Sequence, residues 1–398
     1  MMLDGAGAAL GGVLGTAGSA KPAAPDESQS VYEAIGVKHV INATGTVTIL
    51  GGSIMPPEVA AAWSHASKHF VNLCELQDKV GERIAQLIGV EAAMVTTGAA
   101  GAILLAAAAV LTGKDPEKIK RLPCLDGPRR EVIIQKAHRT CYENQLTAVG
   151  LKVVEVETRK QLERAISERT ALLFFLNFVE PEGTIKRPEW LEVARAHKIA
   201  ALNDAAADVP PVENLSAYNK MGFDLVAISG GKAIRGPNDT GLLLGRKDLI
   251  DAAKLNANPH CGTIGRMMKV GKEDMIALLA AVERFVRLNH GAEWRKWERR
   301  IKVIEDQLKE IAMVKCERIV PPVANRVPHL IIDWDEKRVG IDRRRVTKEL
   351  AEGDPPIQIG RVSGTGDRGI LISVLTLQDK EEHIVAQRLR EIFARVSR

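Results

Sequence analysis

The run Val226-Ala227-Ile228-Ser229-Gly230-Gly231-Lys232 ends an apolar stretch in a hydroxyl, two glycines and a single amine. Twenty-eight residues earlier a second apolar stretch, Ile199-Ala200-Ala201-Leu202-Asn203, ends in Asp204. A lysine and an aspartate at neighbouring strand ends suit pyridoxal 5′-phosphate (PLP) chemistry. The amine holds the cofactor aldehyde as a Schiff base, and the carboxylate keeps the pyridine nitrogen protonated so that the ring accepts electrons. A lone S-G-G-K is more often a surface lysine in a glycine-rich turn, so the reading depends on its companions.

Four companions fall at other strand ends. Thr97-Gly98-Ala99 lies between a short strand and an apolar helix, where free N–H groups and the helix dipole suit a phosphate. Most glycine-rich strand–helix turns merely turn. His138 follows the strand 131–135 and is a candidate ring to stack on the pyridine face, or else a solvated loop histidine. Asn177 closes the strand 171–177 and could hydrogen-bond the cofactor phenolate oxygen. Ser229, three residues before the lysine, is a candidate phosphate ligand. Phosphate loop, ring, amide, carboxylate and amine in this order outweigh any one of them.

These groups need a scaffold with strand ends on one edge. Short apolar runs at 93–96, 131–135, 152–156, 171–177, 200–203, 225–229 and 241–244 read as strands, and helical patterns such as 57–67, 73–88, 102–111, 159–167 and 188–197 lie among them. The alternation predicts an α/β fold with a mostly parallel sheet covered on both faces. After about residue 285 a charged helix (292–311), strands near 329–332, 357–362 and 369–374, and a closing helix (379–396) predict a smaller α+β domain. The expected organisation is a tail or signal remnant (1–30), a large cofactor-binding domain with its leading segment (31–285) and a small domain (286–398).

The 398 residues are 45% hydrophobic and 26% charged, ample for a buried core. A net charge of +5 mildly favours anionic small molecules and does not indicate nucleic-acid binding, which usually shows as a concentrated basic face. Five scattered cysteines without a C-x-x-C pair argue against a disulfide framework and a zinc site. No apolar run has the length of a membrane span. The Gly/Ala-rich 1–20 lacks a charged n-region and carries Asp4, so a cytoplasmic protein with a tail is expected, the alternative being an exported one with a truncated signal.

The order of site residues resembles the fold type I PLP enzymes, the aspartate aminotransferase-like superfamily. Val40-Ile41-Asn42-Ala43-Thr44-Gly45 is similar to the I-N-A-[ST]-G opening shared by selenocysteine synthases and D-glucosaminate-6-phosphate ammonia-lyases. Thr48-Ile49-Leu50-Gly51-Gly52-Ser53, Glu75-Leu76-Gln77-Asp78-Lys79-Val80-Gly81, Asp204-Ala205-Ala206-Ala207, Ser229 to Ile234 and Ile264 to Glu273 resemble the ammonia-lyase branch in particular. The likeness runs from about residue 31 to the end. It implies α,β-elimination from a small anionic 2-amino acid to a 2-keto acid and ammonia, with Lys232 also shuttling protons. Alternatives are a tRNA-dependent selenium transferase, whose N-terminal helical domain has no counterpart expected here, and an aminotransferase or racemase. A PLP-binding regulator would need a DNA-binding module, which thirty Gly/Ala-rich residues do not make.

Two departures bear on substrate: Asp208-Val209-Pro210-Pro211 follows the D-A-A-A motif, and Arg235 stands where the ammonia-lyases suggest an acidic residue. Arg266, Lys269 and Lys272 form a basic cluster that either binds a substrate anion or is a solvated helix face. Arg361 occupies the small-domain region in which fold type I enzymes place a carboxylate-binding arginine. The resemblance further implies a homodimer or higher even-numbered oligomer, with 42–53 or 266–272 completing a neighbour's site.

Overall fold

The computed structural model describes residues 30–360 and 369–396. Its strands are β1 (Ile41–Ala43), β2 (Ala92–Thr97), β3 (Glu131–Gln135), β4 (Lys152–Val156), β5 (Thr170–Leu176), β6 (Ala200–Asp204), β7 (Leu225–Ser229), β8 (Thr240–Gly245), β9 (Val314–Ile319), β10 (His329–Trp334), β11 (Ile357–Ile359) and β12 (Ile370–Ser373). Seven of them make one sheet in the order β2-β8-β7-β6-β5-β3-β4. β3 to β7 are parallel, whereas β8 is antiparallel to both β7 and β2. β2 therefore runs with β7, and the carboxyl ends of β2, β3, β5, β6 and β7 share one edge.

The apolar runs explain the layering. Every residue of β5 is buried, which requires cover on both faces. Alternate side chains divide between two cores: Leu173 and Phe175 join one, Leu172, Phe174 and Leu176 the other. The first core is completed by helices Pro57–Ala66, Leu73–Ile88, Arg187–Ala196 and Lys272–Arg287. The second is completed by the Gly98–Thr112 and Lys247–Asn256 helices.

A third core joins helices His290–Leu308 and Glu381–Val396 to the antiparallel sheet β12-β10-β9. It also takes Ile41 and Ala43, because β1 pairs in parallel with β11, Ile41 opposite Ile357. Residues Ser30–Val40 form a separate compact unit, in which the rings of Tyr32 and His39 meet edge-on at 5.5 Å. Among the described residues no helix is long and apolar enough to cross a membrane.

Three elements differ from expectation. The helix expected from Ala102 begins at Gly98, since Ala99 and Ala100 are strong helix formers that extend it past the flanking glycines. The Lys272–Arg287 helix was hidden by the charges at its start. β9 is an edge strand whose Lys315, Glu317 and Arg318 suppress the apolar signal, as edge strands commonly do.

Gly241 seats the Gly98 helix on β8. A Cβ there would lie 2.3 Å from the Gly98 carbonyl carbon and 2.4 Å from its oxygen. Gly241→Ala must push the helix start away, and overpacking of this kind costs about 1–3 kcal/mol. Denaturant unfolding should show that loss; an unchanged midpoint would mean that the helix is not seated on β8.

Candidate active site

Strand register brings the groups together. Leu176, just before Asn177, is opposite Asp204, and Asp204 is opposite Ala227 on β7. Ser229 faces Gly241 and Thr97 faces Thr240, so β8 lies between these two hydroxyls. Lys232 leaves β7 in a turn closed by Gly230 N–H donating to the Thr240 carbonyl (2.8 Å) and Arg235 N–H donating to that of Lys232 (2.9 Å). The 45–54 segment buttresses the turn, Ser53 Oγ donating to the Gly231 carbonyl at 2.9 Å. Gly52, at φ +73°, permits this approach: a Cβ would lie 2.7 Å from the Gly231 oxygen and 2.2 Å from Asn238 Oδ1.

Asp204 is buried, with Oδ1 accepting the Ala206 N–H at 3.0 Å. Burial raises its pKa, against the pull of that N–H and of the Lys232 charge. Burial also lowers the pKa of the Lys232 amine, opposed by Asp204 and Asp208. Asp208 is 1% exposed and its pKa is pushed up to about 6, by burial first, with the repulsion of Asp204 adding.

Asn177 is spent on Asp208. Its amide nitrogen donates to Asp208 Oδ2 at 2.7 Å and to the Tyr218 hydroxyl at 2.9 Å. The neighbouring carboxylate and phenol take both amide hydrogens; Asn177 Oδ1 and Asp208 Oδ1 are left buried without partners among the described residues. The Arg187 guanidinium lies over the Tyr218 ring, 5.5 Å from its centre. Neither Asp208 nor Tyr218 was singled out as a site residue from sequence. The signal available was a carboxylate four residues beyond Asp204, flanked by apolar Val209 and Pro210 where a solvated turn would be polar.

His138 is not a solvated loop residue. It is 1% exposed, packs edge-on to Phe175 at 4.5 Å and accepts the Leu176 N–H on Nδ1 at 3.3 Å. Burial, with help from the Lys186 charge, pushes its pKa down to about 4, so the imidazole is neutral at pH 7.

At the first turn of the Gly98–Thr112 helix the N–H groups of Gly98 and Ala99 have no intrahelical acceptors. Thr97 Oγ1 beside them is buried without a hydrogen-bond partner, and Ser229 closes the far side of β8. These residues fit PLP. A phosphate would find the orphaned hydroxyl and N–H groups, a protonated ring nitrogen would relieve the buried Asp204 carboxylate, and the aldehyde would find a lysine whose amine is held less basic than usual.

Lys232 also lines a cavity of about 370 Å³, whose cationic wall is Arg235, Arg284, Lys296 and Arg300. The expected substrate-binding residues are elsewhere. Arg266 and Lys269 are exposed and do not line this cavity. Their segment passes the first turn of the Gly98 helix, with Met268 Sδ 3.8 Å from a Cβ position on Gly101. Lys272 instead ties the start of its own helix, donating to the Ala66 carbonyl at 2.8 Å and pairing with Glu273. Arg361 lies outside the described residues.

The family model for L-seryl-tRNA selenium transferase matches residues 40–332. The chain is 29% identical over 375 residues to a D-glucosaminate-6-phosphate ammonia lyase of Salmonella typhimurium, covering 91% of this chain and 98% of that protein. A solved D-glucosaminate-6-phosphate ammonia-lyase superposes with a TM-score of 0.78 at 28% identity, covering 93% of this chain and all of that one. A serine palmitoyltransferase with PLP superposes at 0.59 and 13% identity, covering 90% and 88%, a likeness of fold: that of the fold type I PLP enzymes.

Because His138 has a folded pKa of about 4, below the ordinary 6.5, its contribution to stability is present above pH 6.5 and lost as pH falls towards 4. Between pH 7 and 4.5 the wild type should therefore lose about 2 kcal/mol more unfolding free energy than His138→Gln. Urea titrations at the two pH values measure this; equal losses would place His138 in contact with solvent.

Proposed function

The chain belongs to the L-seryl-tRNA selenium transferase (SelA) family, and we propose that it is a lyase removing ammonia from a small anionic 2-amino acid by α,β-elimination. The enzyme is PLP-dependent. The observation that carries the reading is the placing of Lys232 and Asp204 at one sheet edge, each perturbed by burial and felt by the other's charge. Likeness to an ammonia lyase along 98% of that protein's length supports elimination.

When bound, PLP supplies an electron sink for the charge left at Cα after proton loss. Lys232 would hold the cofactor aldehyde, and Asp204 the proton on its ring nitrogen. Thr97, Gly98, Ala99 and Ser229 would hold the phosphate. His138, neutral and fixed by the Leu176 N–H, would form a wall beside the ring. Asn177 holds Asp208 in place, and that carboxyl adds to the negative field on which a protonated ring depends. Once released, Lys232 is the base at hand for the Cα proton, since burial leaves its amine a larger unprotonated fraction at pH 7. Loss of that proton and of a Cβ leaving group, followed by addition of water, gives a 2-keto acid and ammonia. Arg266 and Lys269, exposed and away from the Lys232 cavity, are assigned to the site of a second copy in an even-numbered homo-oligomer.

Borohydride should fix PLP on a single peptide containing Lys232, and Lys232→Ala should abolish the labelling; a stable adduct on another lysine would refute the assignment. Asp204→Asn should keep the cofactor and lose about 10²-fold or more in turnover, because a neutral amide does not hold the ring nitrogen protonated. Incubating the holoenzyme with phosphorylated and plain 2-amino acids should yield 2-keto acid and ammonia in equal amounts. An amino-group transfer to added keto acid, or activity confined to seryl-tRNA, would instead establish a transferase.

A further inference from the structure

The cations around the Lys232 cavity are not equivalent. Arg284 Nε pairs with Glu58 at 2.8 Å, and Lys296 Nζ with Asp379 at 2.7 Å. Arg300, only 6% exposed in its side chain, reaches Asp379 at 3.2 Å and Glu382 at 3.5 Å and donates to the Val374 carbonyl. Arg235 makes no ion pair among the described residues. Its one side-chain hydrogen bond among the described residues runs from Nε to the Ile54 carbonyl at 2.8 Å, which aims the guanidinium and leaves both terminal nitrogens without acceptors there. Glu293 lines the same cavity but stands beyond ion-pair distance.

The backbone at Arg235 is also unusual. Its φ is +64°, in the left-handed region where glycine is the ordinary occupant and a long side chain is strained. A strained backbone carrying an aimed, unpaired, half-buried fork three residues from Lys232 has a straightforward use. We infer that Arg235 is the specificity residue of this enzyme, its terminal nitrogens clamping a second oxyanion of the substrate, remote from the α-amino group. The ligand class is a 2-amino acid bearing a distal phosphate ester or carboxylate, since both present the paired oxygens that a guanidinium binds bidentately. This deepens the lyase reading, yet it is tested by binding alone.

The test uses the PLP-loaded enzyme and follows binding by calorimetry and by the change in cofactor absorption, neither of which requires elimination. D-Glucosaminate 6-phosphate against D-glucosaminate tests the phosphate source, and glutamate against glutamine the carboxylate source. In one arm the wild type should prefer the anionic member. Arg235→Gly and Arg235→Gln should each lose roughly ten- to a hundredfold of that preference, the span of one charge-assisted contact, while binding the neutral member as the wild type does. Arg235→Gly should melt no lower than the wild type, because glycine relieves the left-handed backbone and water can replace the bond to the Ile54 carbonyl of an exposed residue. No preference in either arm, a preference that survives both substitutions, or a lower melting temperature for Arg235→Gly would overturn the assignment, whether or not ammonia is released.

Discussion

A carboxylate taken out of water at the end of a sheet strand is costly unless donors or a cation meet it. Asp204 meets one N–H, from Ala206, and the field of one amine, Lys232. Much of the surrounding architecture maintains that tension. The antiparallel β8 next to β7 receives the Gly230 N–H that closes the lysine turn, and the 45–54 segment pins the Gly231 carbonyl from outside. Asn177, itself anchored on the Tyr218 hydroxyl, fixes a second buried carboxyl, Asp208, whose repulsion raises the demand for positive charge at the same place. A protonated pyridine ring held there would meet this demand.

Around the Lys232 cavity the same physics runs with opposite sign. Most of the cationic wall is neutralised within the protein: Arg284, Lys296 and Arg300 are braces between helices and loops, and their charges are committed to Glu58, Asp379 and Glu382. A cluster of positive residues is therefore a poor guide to anion binding until each partner has been counted. Arg266 and Lys269 illustrate this from the other direction, making no ion pair among the described residues but being exposed and outside the Lys232 cavity.

The sheet was legible in the sequence because buried parallel strands are continuous apolar runs, and 131–135, 152–156 and 225–229 were bounded to the residue. The positions of Lys232 and Asp204 were legible because a polar residue ending such a run sits at the carboxyl edge of the sheet. Asp208 was not, since its importance comes from the Asn177 amide, which joins it to Tyr218 although the two lie 31 and 41 residues further along the chain than that amide. The state of His138 was equally hidden: nothing local shows that Phe175 and Leu176 enclose it. The separation of Arg235 from the paired arginines needed three-dimensional partners for all of them.

The pairing of β1 with β11 makes one core depend on residues separated by more than three hundred positions. During synthesis Ile41 and Ala43 emerge long before Ile357 and Ile359 exist to receive them, so this core closes among the last parts of the molecule. A fragment holding only the C-terminal helices and strands would lack its own edge strand and two of its buried side chains. Because the same leading segment runs on from β1 to buttress the lysine turn, the site reaches its working shape only after β11 has joined β1. The lysine turn is thereby coupled to a strand pair in another core.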